Sequence, residues 1–163
     1  MRAVLRILGI LVLVVAAAIG VTAVAARFHD GPIAIFAGGP FQSGEWAELS
    51  WHDASILADR SEIEWQLVNP PRSRITWVVV HDGVAYVPCG MPEFRLWKRW
   101  PHEAMRDGRA IVRLDGQLHR RQLVRVDDPR LEAMLRTETG RKYHADDYPG
   151  EIWFFRLDPR RGD

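Results

Sequence analysis

The sequence predicts a mainly β fold of the α+β class: a six-stranded antiparallel barrel, closed or split, with short flanking helices and one preceding transmembrane helix. Two Asp-Gly pairs, at residues 82–83 and 115–116, each separate two apolar segments. Asp-Gly in that position is a strong signal for a tight β-hairpin turn. A long uncharged run near the N-terminus predicts the membrane helix.

This run covers residues 7–26. At about 1.5 Å per residue, a helix of this length measures about 30 Å, which is the thickness of a bilayer core. Arg2 and Arg6 precede it and Arg27 follows, so the positive-inside rule favours a single-pass membrane protein with a cytoplasmic N-terminus and an extracytoplasmic domain. A small-residue sequence at 23–25 also fits a cleaved signal peptide, which stays open as the alternative.

Shifts in composition divide the chain into four parts. They are a transmembrane anchor or signal peptide at 1–27, a membrane-proximal loop at 28–49, a split β-barrel domain at 50–158 and a polar tail at 159–163. The loop is predicted because Gly and Pro are frequent between residues 29 and 44. Its apolar residues Ile33, Ile35 and Phe36 are expected to pack on the domain or on the lipid surface.

Composition also excludes some classes of protein. The 163 residues carry a formal net charge of +1, which argues against a nucleic-acid binder held by bulk charge. Cys89 is the only cysteine, so an intrachain disulfide and a cysteine metal cluster are impossible.

Six segments have the pattern of strands. Residues 62–68 alternate, with Ile63, Trp65 and Leu67 on one face. Residues 74–80 are apolar on both faces, so this strand is predicted to be covered on both sides. The remaining strands are predicted at 84–87, 110–114, 117–126 and 151–157. In 117–126, Leu123 is out of phase with Leu118 and Val124, which predicts a β-bulge near Arg120.

Three short helices are expected between the strands. One lies within residues 50–60, capped by Ser50 or Asp53. Pro101 begins a second, which ends at Gly108. The third runs from Pro129 to about Thr139 and is ended by Gly140. Its predicted buried residues are Leu131, Met134 and Leu135.

Basic and aromatic side chains alternate in the loop before the second helix. Arg74, Lys98 and Arg99 would together form a site for phosphate or another anion, and the alternative is that they are solvated surface bases. Trp97 and Trp100 flank the basic pair and would stack a flat ring, unless they simply pack under the barrel. His102, at the start of the helix, would donate to the same anion. The other histidines show no ligand spacing, so a haem is the less favoured cofactor.

The chain resembles the flavin-binding split-barrel superfamily, which includes the pyridoxamine 5′-phosphate oxidases and the deazaflavin-dependent oxidoreductases. The resemblance covers residues 62–157. It rests on RITWVVV at 74–80, AYVPC at 85–89, WKR at 97–99 and DGRAIV at 107–112. It implies a homodimer that binds FMN or a deazaflavin in clefts between its subunits.

The resemblance also implies roles for individual residues. Arg74 matches an arginine at a strand start that reaches the cofactor phosphate, and Thr76 matches a position facing the ring. Cys89 stands where a small polar residue touches ring or phosphate. Lys98 and Arg99 match the basic pair that holds the phosphate.

These observations predict a membrane-anchored, cofactor-binding oxidoreductase that acts on a quinone-like or other small substrate. The alternative is a non-catalytic envelope scaffold, or a subunit of a membrane complex, on the same fold without a cofactor. The expected partners are membrane lipid through the N-terminal helix and a second copy of the chain, with another membrane protein as a further candidate. No nucleic acid is expected.

Overall fold

The structure is a computed structural model that describes residues 2–47, 54–96, 98–145 and 148–161. As predicted, the described elements form a mainly antiparallel sheet with helices, of which three are α-helices and one is a 3₁₀ helix. In chain order they are α1 (Arg2–Ala26), β1 (Glu45–Trp46), a 3₁₀ helix (Ala54–Leu57), β2 (Glu62–Leu67), β3 (Ser73–Trp77), β4 (Val79–His81), β5 (Val84–Gly90), α2 (Trp100–Arg106), β6 (Arg109–Leu114), β7 (Gln117–Arg125), α3 (Pro129–Tyr143) and β8 (Ile152–Pro159).

The predicted count of six strands is wrong, because the described residues form a sheet of eight. The predicted strand at 74–80 is interrupted at Val78, which divides it into β3 and β4. The other addition is β1, a two-residue strand within the segment predicted as a loop. It pairs in parallel with β7, so the sheet is not purely antiparallel.

The strands follow the order β3-β2-β6-β7-β8-β5-β4, and β1 joins at β7. This path of hydrogen-bonded neighbours is open, yet its two edge strands, β3 and β4, are joined in the chain by Val78 alone. β3 pairs with β2, whereas β4 pairs with β5. The chain therefore passes from one edge of the sheet to the other at a single residue.

The end of α3 supplies the hydrogen bonds that Val78 lacks in the sheet. The Val78 N–H donates to the Tyr143 hydroxyl oxygen at 3.0 Å, and that hydroxyl lies 2.7 Å from the Val78 carbonyl oxygen. Lys142 Nζ donates to the same carbonyl at 3.0 Å. Buried backbone groups need such partners, so α3 stabilises the point at which the sheet divides.

Both predicted hairpins are confirmed. Asp82 and Gly83, and likewise Asp115 and Gly116, have positive φ angles, which suit tight two-residue turns between twisted strands. The predicted buried face of β2 is also confirmed, since Ile63, Trp65 and Leu67 are in the main core, but Gln66 on the other face is buried as well.

The predicted bulge near Arg120 is wrong. β6 and β7 pair in one continuous register, from Arg109 opposite Gln122 to Leu114 opposite Gln117. His119 and Arg121 therefore share the face of Leu123, and all three are buried. The change of phase in the sequence reflects buried polar residues rather than a change in backbone geometry.

The helices differ from the predictions in their ends. α3 continues through Gly140 to Tyr143, and His144 ends it in a left-handed conformation with φ of 53°. Of its predicted buried residues, Leu135 is buried and Leu131 is partly buried, but Met134 is 46% exposed. α2 starts at Trp100, one residue before Pro101, and ends at Arg106. Near 50–60 only the 3₁₀ helix is described, and its predicted caps Ser50 and Asp53 lie outside the described residues.

α1 is long and apolar enough to cross a membrane, and its position near the N-terminus is equally compatible with a signal sequence. The segment after it forms turns and one bridge between Ile33 and Phe36. Gly39 donates its N–H to the carbonyl of Ala26 at 3.0 Å, and its own carbonyl accepts from Ser73 Oγ at 2.6 Å. The end of α1 is thereby held against the start of β3.

Candidate functional site

A pocket of about 290 Å³ lies between β3, the adjoining ends of β5 and β8, and α3. Its wall contains two indole rings, two cations and two threonines. The lining residues are Glu62, Ile75, Thr76, Trp77, Pro88, Gly90, Lys98, Trp100, Arg136, Thr139, Ala145, Tyr148 and Ile152. It adjoins Val78, where the sheet divides.

Arg74 lies behind this pocket, between two tryptophans. Its guanidinium carbon is 4.9 Å from the ring centroid of Trp65 and 5.8 Å from that of Trp100. Its Nη2 donates to the carbonyl of Arg72 at 3.3 Å, while its Nε is buried without a hydrogen-bond partner. Burial lowers the pKa of Arg74 to about 10, so the group remains charged at neutral pH.

A buried cation is ordinarily paired with a carboxylate. Among the described residues no carboxylate lies within 4.0 Å of the Arg74 guanidinium, although the charge of Glu103 acts on it from farther away. Arg74 does not line the pocket, so it would act on an anion bound there through its charge and not through direct contact.

β3 places three consecutive side chains around the pocket. Thr76 Oγ1 accepts a hydrogen bond from Trp65 Nε1 at 2.8 Å, which fixes the indole that contacts Arg74. Trp77 lies face to face with Tyr143, with ring centroids 4.2 Å apart and an interplanar angle of 3°. Thr76 thus orients the Trp65 indole, and Trp77 forms an aromatic part of the pocket wall.

α3 supplies a cation that the sequence did not single out. Arg136 lines the pocket, and its Nη2 donates to the carbonyl of Gly150 at 3.1 Å. Thr139, one turn later, is buried and donates to the carbonyl of Leu135 at 2.7 Å. The i, i+3 spacing of Arg136 and Thr139 places them on one helix face, which was the available signal, but the sequence does not show what that face meets.

Cys89 belongs to the main core. Burial raises the pKa of its thiol to about 11, although the charges of Lys98 and Arg74 act in the opposite direction. The thiol is protonated at neutral pH, and a protonated buried thiol is a poor nucleophile. The charges of Lys98 and Arg74 therefore act on Cys89, but its thiol is unsuited to covalent chemistry.

Like Arg74 and Cys89, two further predicted site residues do not line this pocket. Arg99 is exposed at the start of α2. His102 Nε2 is 2.8 Å from the carbonyl oxygen of Pro92, and its ring meets the edge of Trp153. The structure therefore brings Arg74, Thr76 and Lys98 together around Trp100, with Cys89 behind them. Trp97 is outside the described residues.

A second, larger cleft of about 490 Å³ lies between the segment after α1 and strands β2 and β6. Its central cation, Arg113, contacts Asp30 at 3.0 Å and Glu64 at 2.8 Å. Arg60 contacts Asp115 at 2.5 Å. Burial raises the pKa of Asp30, but hydrogen bonds from Ser43, the Gln42 N–H and Arg113 outweigh it and hold the pKa at about 2. Both cations of this cleft are therefore paired with carboxylates.

No family model matches this chain, and no curated protein matches it in sequence. A solved structure with some similarity is a FAD-binding protein from Mesorhizobium loti, at 14% sequence identity and a TM-score of 0.41. The match covers 66% of this chain and 86% of that one. At that identity and TM-score, the likeness carries no inference about the ligand of this chain.

Proposed function

We propose that this protein is a membrane-anchored split-barrel domain that binds a flat-ring cofactor of the flavin or deazaflavin type, and that it is an oxidoreductase. The observation that carries the proposal is the buried Arg74 Nε, which has no hydrogen-bond partner, next to a pocket lined by Lys98 and two indole rings. An anionic group beside a flat ring has the chemistry that this arrangement complements.

The described residues fit such a group. Lys98 and Arg136 lie in the pocket wall and would contact an anionic substituent, and Arg74 would stabilise it from behind. Trp77 and Trp100 offer apolar faces to a ring. Flavins and deazaflavins carry the redox step themselves, and the protein contributes placement and charge. Of FMN and a deazaflavin, neither is favoured by these contacts, and a haem remains the weaker candidate.

The pocket volume is at the lower end of the range for small-molecule sites, which is about 300–1,000 Å³. One chain therefore does not enclose a complete mononucleotide, which needs additional residues around it. We infer a homodimer in which the second copy completes the pocket. We also propose that each chain is divided into an anchor at 1–27, a loop at 28–49, the barrel at 50–158 and a tail at 159–163. The link from β3 to β4 through Val78 supports a barrel that is split beside the pocket.

The binding proposal is tested with the full chain purified in detergent. FMN and a deazaflavin are titrated separately, and the quenching of cofactor fluorescence is measured. We expect Lys98→Ala to weaken binding roughly 10- to 100-fold, because a charge-assisted hydrogen bond contributes about 1.5–3 kcal/mol. Arg106→Ala, an exposed position on α2, is the matched control. Saturable binding that Lys98→Ala leaves unchanged would remove this pocket from the proposal.

For localisation, we propose an uncleaved anchor with a cytoplasmic N-terminus and an extracytoplasmic domain. The length and apolarity of α1 and the bias of Arg2 and Arg6 support it. Expression in a bacterial host should give a protein of full-length mass that resists alkaline washing of membranes and is digested by protease added to spheroplasts. A mature chain that begins near residue 26 would show a cleaved signal peptide instead.

A non-catalytic scaffold or membrane-complex subunit is the second candidate. It is favoured by the stack of Trp77 on Tyr143, in which one of the pocket's ring faces already meets a ring of the protein. In that case neither cofactor binds, and a membrane-protein partner co-purifies in stoichiometric amount.

A further inference from the structure

The loop between β5 and α2 exposes apolar side chains without a partner in the domain. Among the described residues outside α1, the three most exposed large hydrophobic side chains are Leu96 at 87%, Phe28 at 78% and Ile35 at 77%. Phe94 in the same loop is 50% exposed. Exposed apolar groups that cluster in one region of a surface mark a site of interaction.

The loop is built so that these side chains stay outside. Met91 donates its N–H to the carbonyl of Glu151 at 3.0 Å, and Lys98 donates its N–H to the carbonyl of Phe94 at 2.8 Å. His102 contacts the carbonyl of the buried Pro92 at 2.8 Å. These bonds tie the loop to β8 and α2, and they leave Phe94 and Leu96 facing solvent. His102 is thus explained as a residue that positions the loop.

The strand register places this loop at the membrane end of the domain. β5 runs antiparallel to β4, so its last residue, Gly90, lies at the same end of the sheet as Ser73, the first residue of β3. Ser73 is bonded to Gly39, which is bonded in turn to Ala26 at the end of α1. Phe28 and Ile35 follow that same helix end closely in the chain. The loop that carries Phe94 and Leu96 and the end of α1 that precedes Phe28 therefore lie at one end of the sheet.

The charges around these residues complement an anionic lipid surface. Arg27 follows α1 directly, and Arg95 and Arg99 flank Leu96. Glu93 is the single acidic residue between 91 and 99. Each Lys or Arg near an anionic bilayer contributes about 1 kcal/mol, and apolar side chains between such cations enter the interfacial layer.

We propose that Phe94 and Leu96, together with Phe28 and Ile35, form a second contact of this protein with an anionic phospholipid bilayer. This membrane-facing rim of Phe28, Ile35, Phe94 and Leu96 orients the domain so that it rests on the bilayer instead of moving freely on its tether. The inference goes beyond the proposed cofactor function and uses only its premise that α1 is a membrane anchor.

Fluorescence from a label at Leu96 tests the contact in the full chain. The buried Cys89 is replaced by Ser, and Leu96→Cys carries an environment-sensitive dye. The protein is reconstituted in vesicles of phosphatidylcholine with about 30% phosphatidylglycerol. Gln117→Cys is the matched control, because this exposed residue lies beside the Asp115-Gly116 hairpin at the opposite end of the sheet.

We expect the dye at 96 to shift to the blue and to lose roughly half of its emission to lipids that carry a spin label at the interface. The dye at 117 should behave as it does in water. Adding Arg95→Glu and Arg99→Glu should reduce the quenching at 96 by a factor of about two or more, and only in vesicles with anionic lipid.

Two results would overturn the contact. One is a dye at 96 whose emission shows the same exposure to water as the dye at 117. The other is a blue-shifted dye that spin-labelled lipid does not quench, because this would show that the loop meets another protein copy. An alkaline wash of the same vesicles reports on the anchor separately. If the chain washes off, the anchor proposal fails whatever the dye shows.

Discussion

The two clefts of this domain differ in whether their cations are paired with carboxylates. In the larger cleft, Arg113 is held between Asp30 and Glu64, so its charge is neutralised within the protein. In the smaller pocket, Lys98 faces the cavity, and Arg74 behind it has a buried Nε without a partner. By volume alone, the larger cleft would be the better candidate for a ligand site. The smaller pocket is the better candidate for an anionic ligand, because a cation without a carboxylate partner is stabilised by binding an anion.

The strongest test of this comparison replaces one arginine in each cleft by methionine. Arg113→Met should lower the free energy of unfolding by about 3 kcal/mol, because it leaves two carboxylates without their cation in a partly buried site. Arg74→Met should change it by less than about 1 kcal/mol, or raise it, since removal of an unpaired buried charge offsets the lost contacts with the indoles.

Both values come from urea unfolding of the full chain in the same detergent. The comparison breaks if Arg74→Met is as destabilising as Arg113→Met. Arg74 would then be a structural cation with a partner in the folded protein, and the cofactor proposal would lose the observation that carries it.

A second test sharpens the description of the larger cleft through its pH dependence. The pKa of Asp30 is held at about 2, against 3.8 for an unperturbed carboxyl. A depressed pKa stabilises the folded state above about pH 4, and that stabilisation is lost as pH falls towards 2. After allowance for partial exposure, we expect Asp30→Asn to remove about 1–2 kcal/mol at neutral pH and to flatten the loss in acid.

The measurement is urea unfolding at several pH values from 2 to 7. Asp127→Asn, an exposed position before α3, is the control and should stay within about 0.5 kcal/mol of the parent. Equal acid sensitivity in Asp30→Asn and the parent would mean that the Asp30–Arg113 pair contributes nothing to stability.

What the sequence could predict in this fold is local. The two Asp-Gly turns and the buried face of β2 depend on neighbouring residues, and both were found. The division at Val78 depends on Tyr143, which lies 65 residues away in the chain. The pairing of β1 with β7 is equally non-local, and two residues are too few for a periodic signal. The apolar faces of 74–80 indicated neither the interruption of this strand nor the 38% exposure of Trp77.

The candidate site shows the same limit. Basic and aromatic residues close in sequence pointed to Lys98 and Trp100, and a strand-start arginine pointed to Arg74. The pocket contains Lys98 and Trp100, and Arg74 contacts Trp100 from behind. Arg136 was missed because the face of α3 that meets the sheet is decided by packing. Arg99 was predicted from its position next to Lys98 in the sequence, whereas in the structure it is exposed at the start of α2.

Glu138 has a partner for only one of its two carboxylate oxygens, and it gives the test with the smallest expected effect. Glu138 on α3 receives a contact from His81 Nδ1 at 2.9 Å, while its second carboxylate oxygen is buried without a partner. Asp82 lies 3.5 Å from the other ring nitrogen of His81. The hydrogen bond to Glu138 raises the pKa of His81, and burial opposes it only in part.

A raised histidine pKa stabilises the folded state fully below about pH 6.5, and this contribution is lost as pH rises through the folded-state value. We therefore expect the parent to lose roughly 0.5 kcal/mol more than His81→Gln between pH 6 and pH 9, because the pair is partly exposed. Thermal unfolding across this range measures the difference. Were His81→Gln to keep the full alkaline loss, the loss would arise elsewhere, and Glu138 would count with Arg74 among the uncompensated charges.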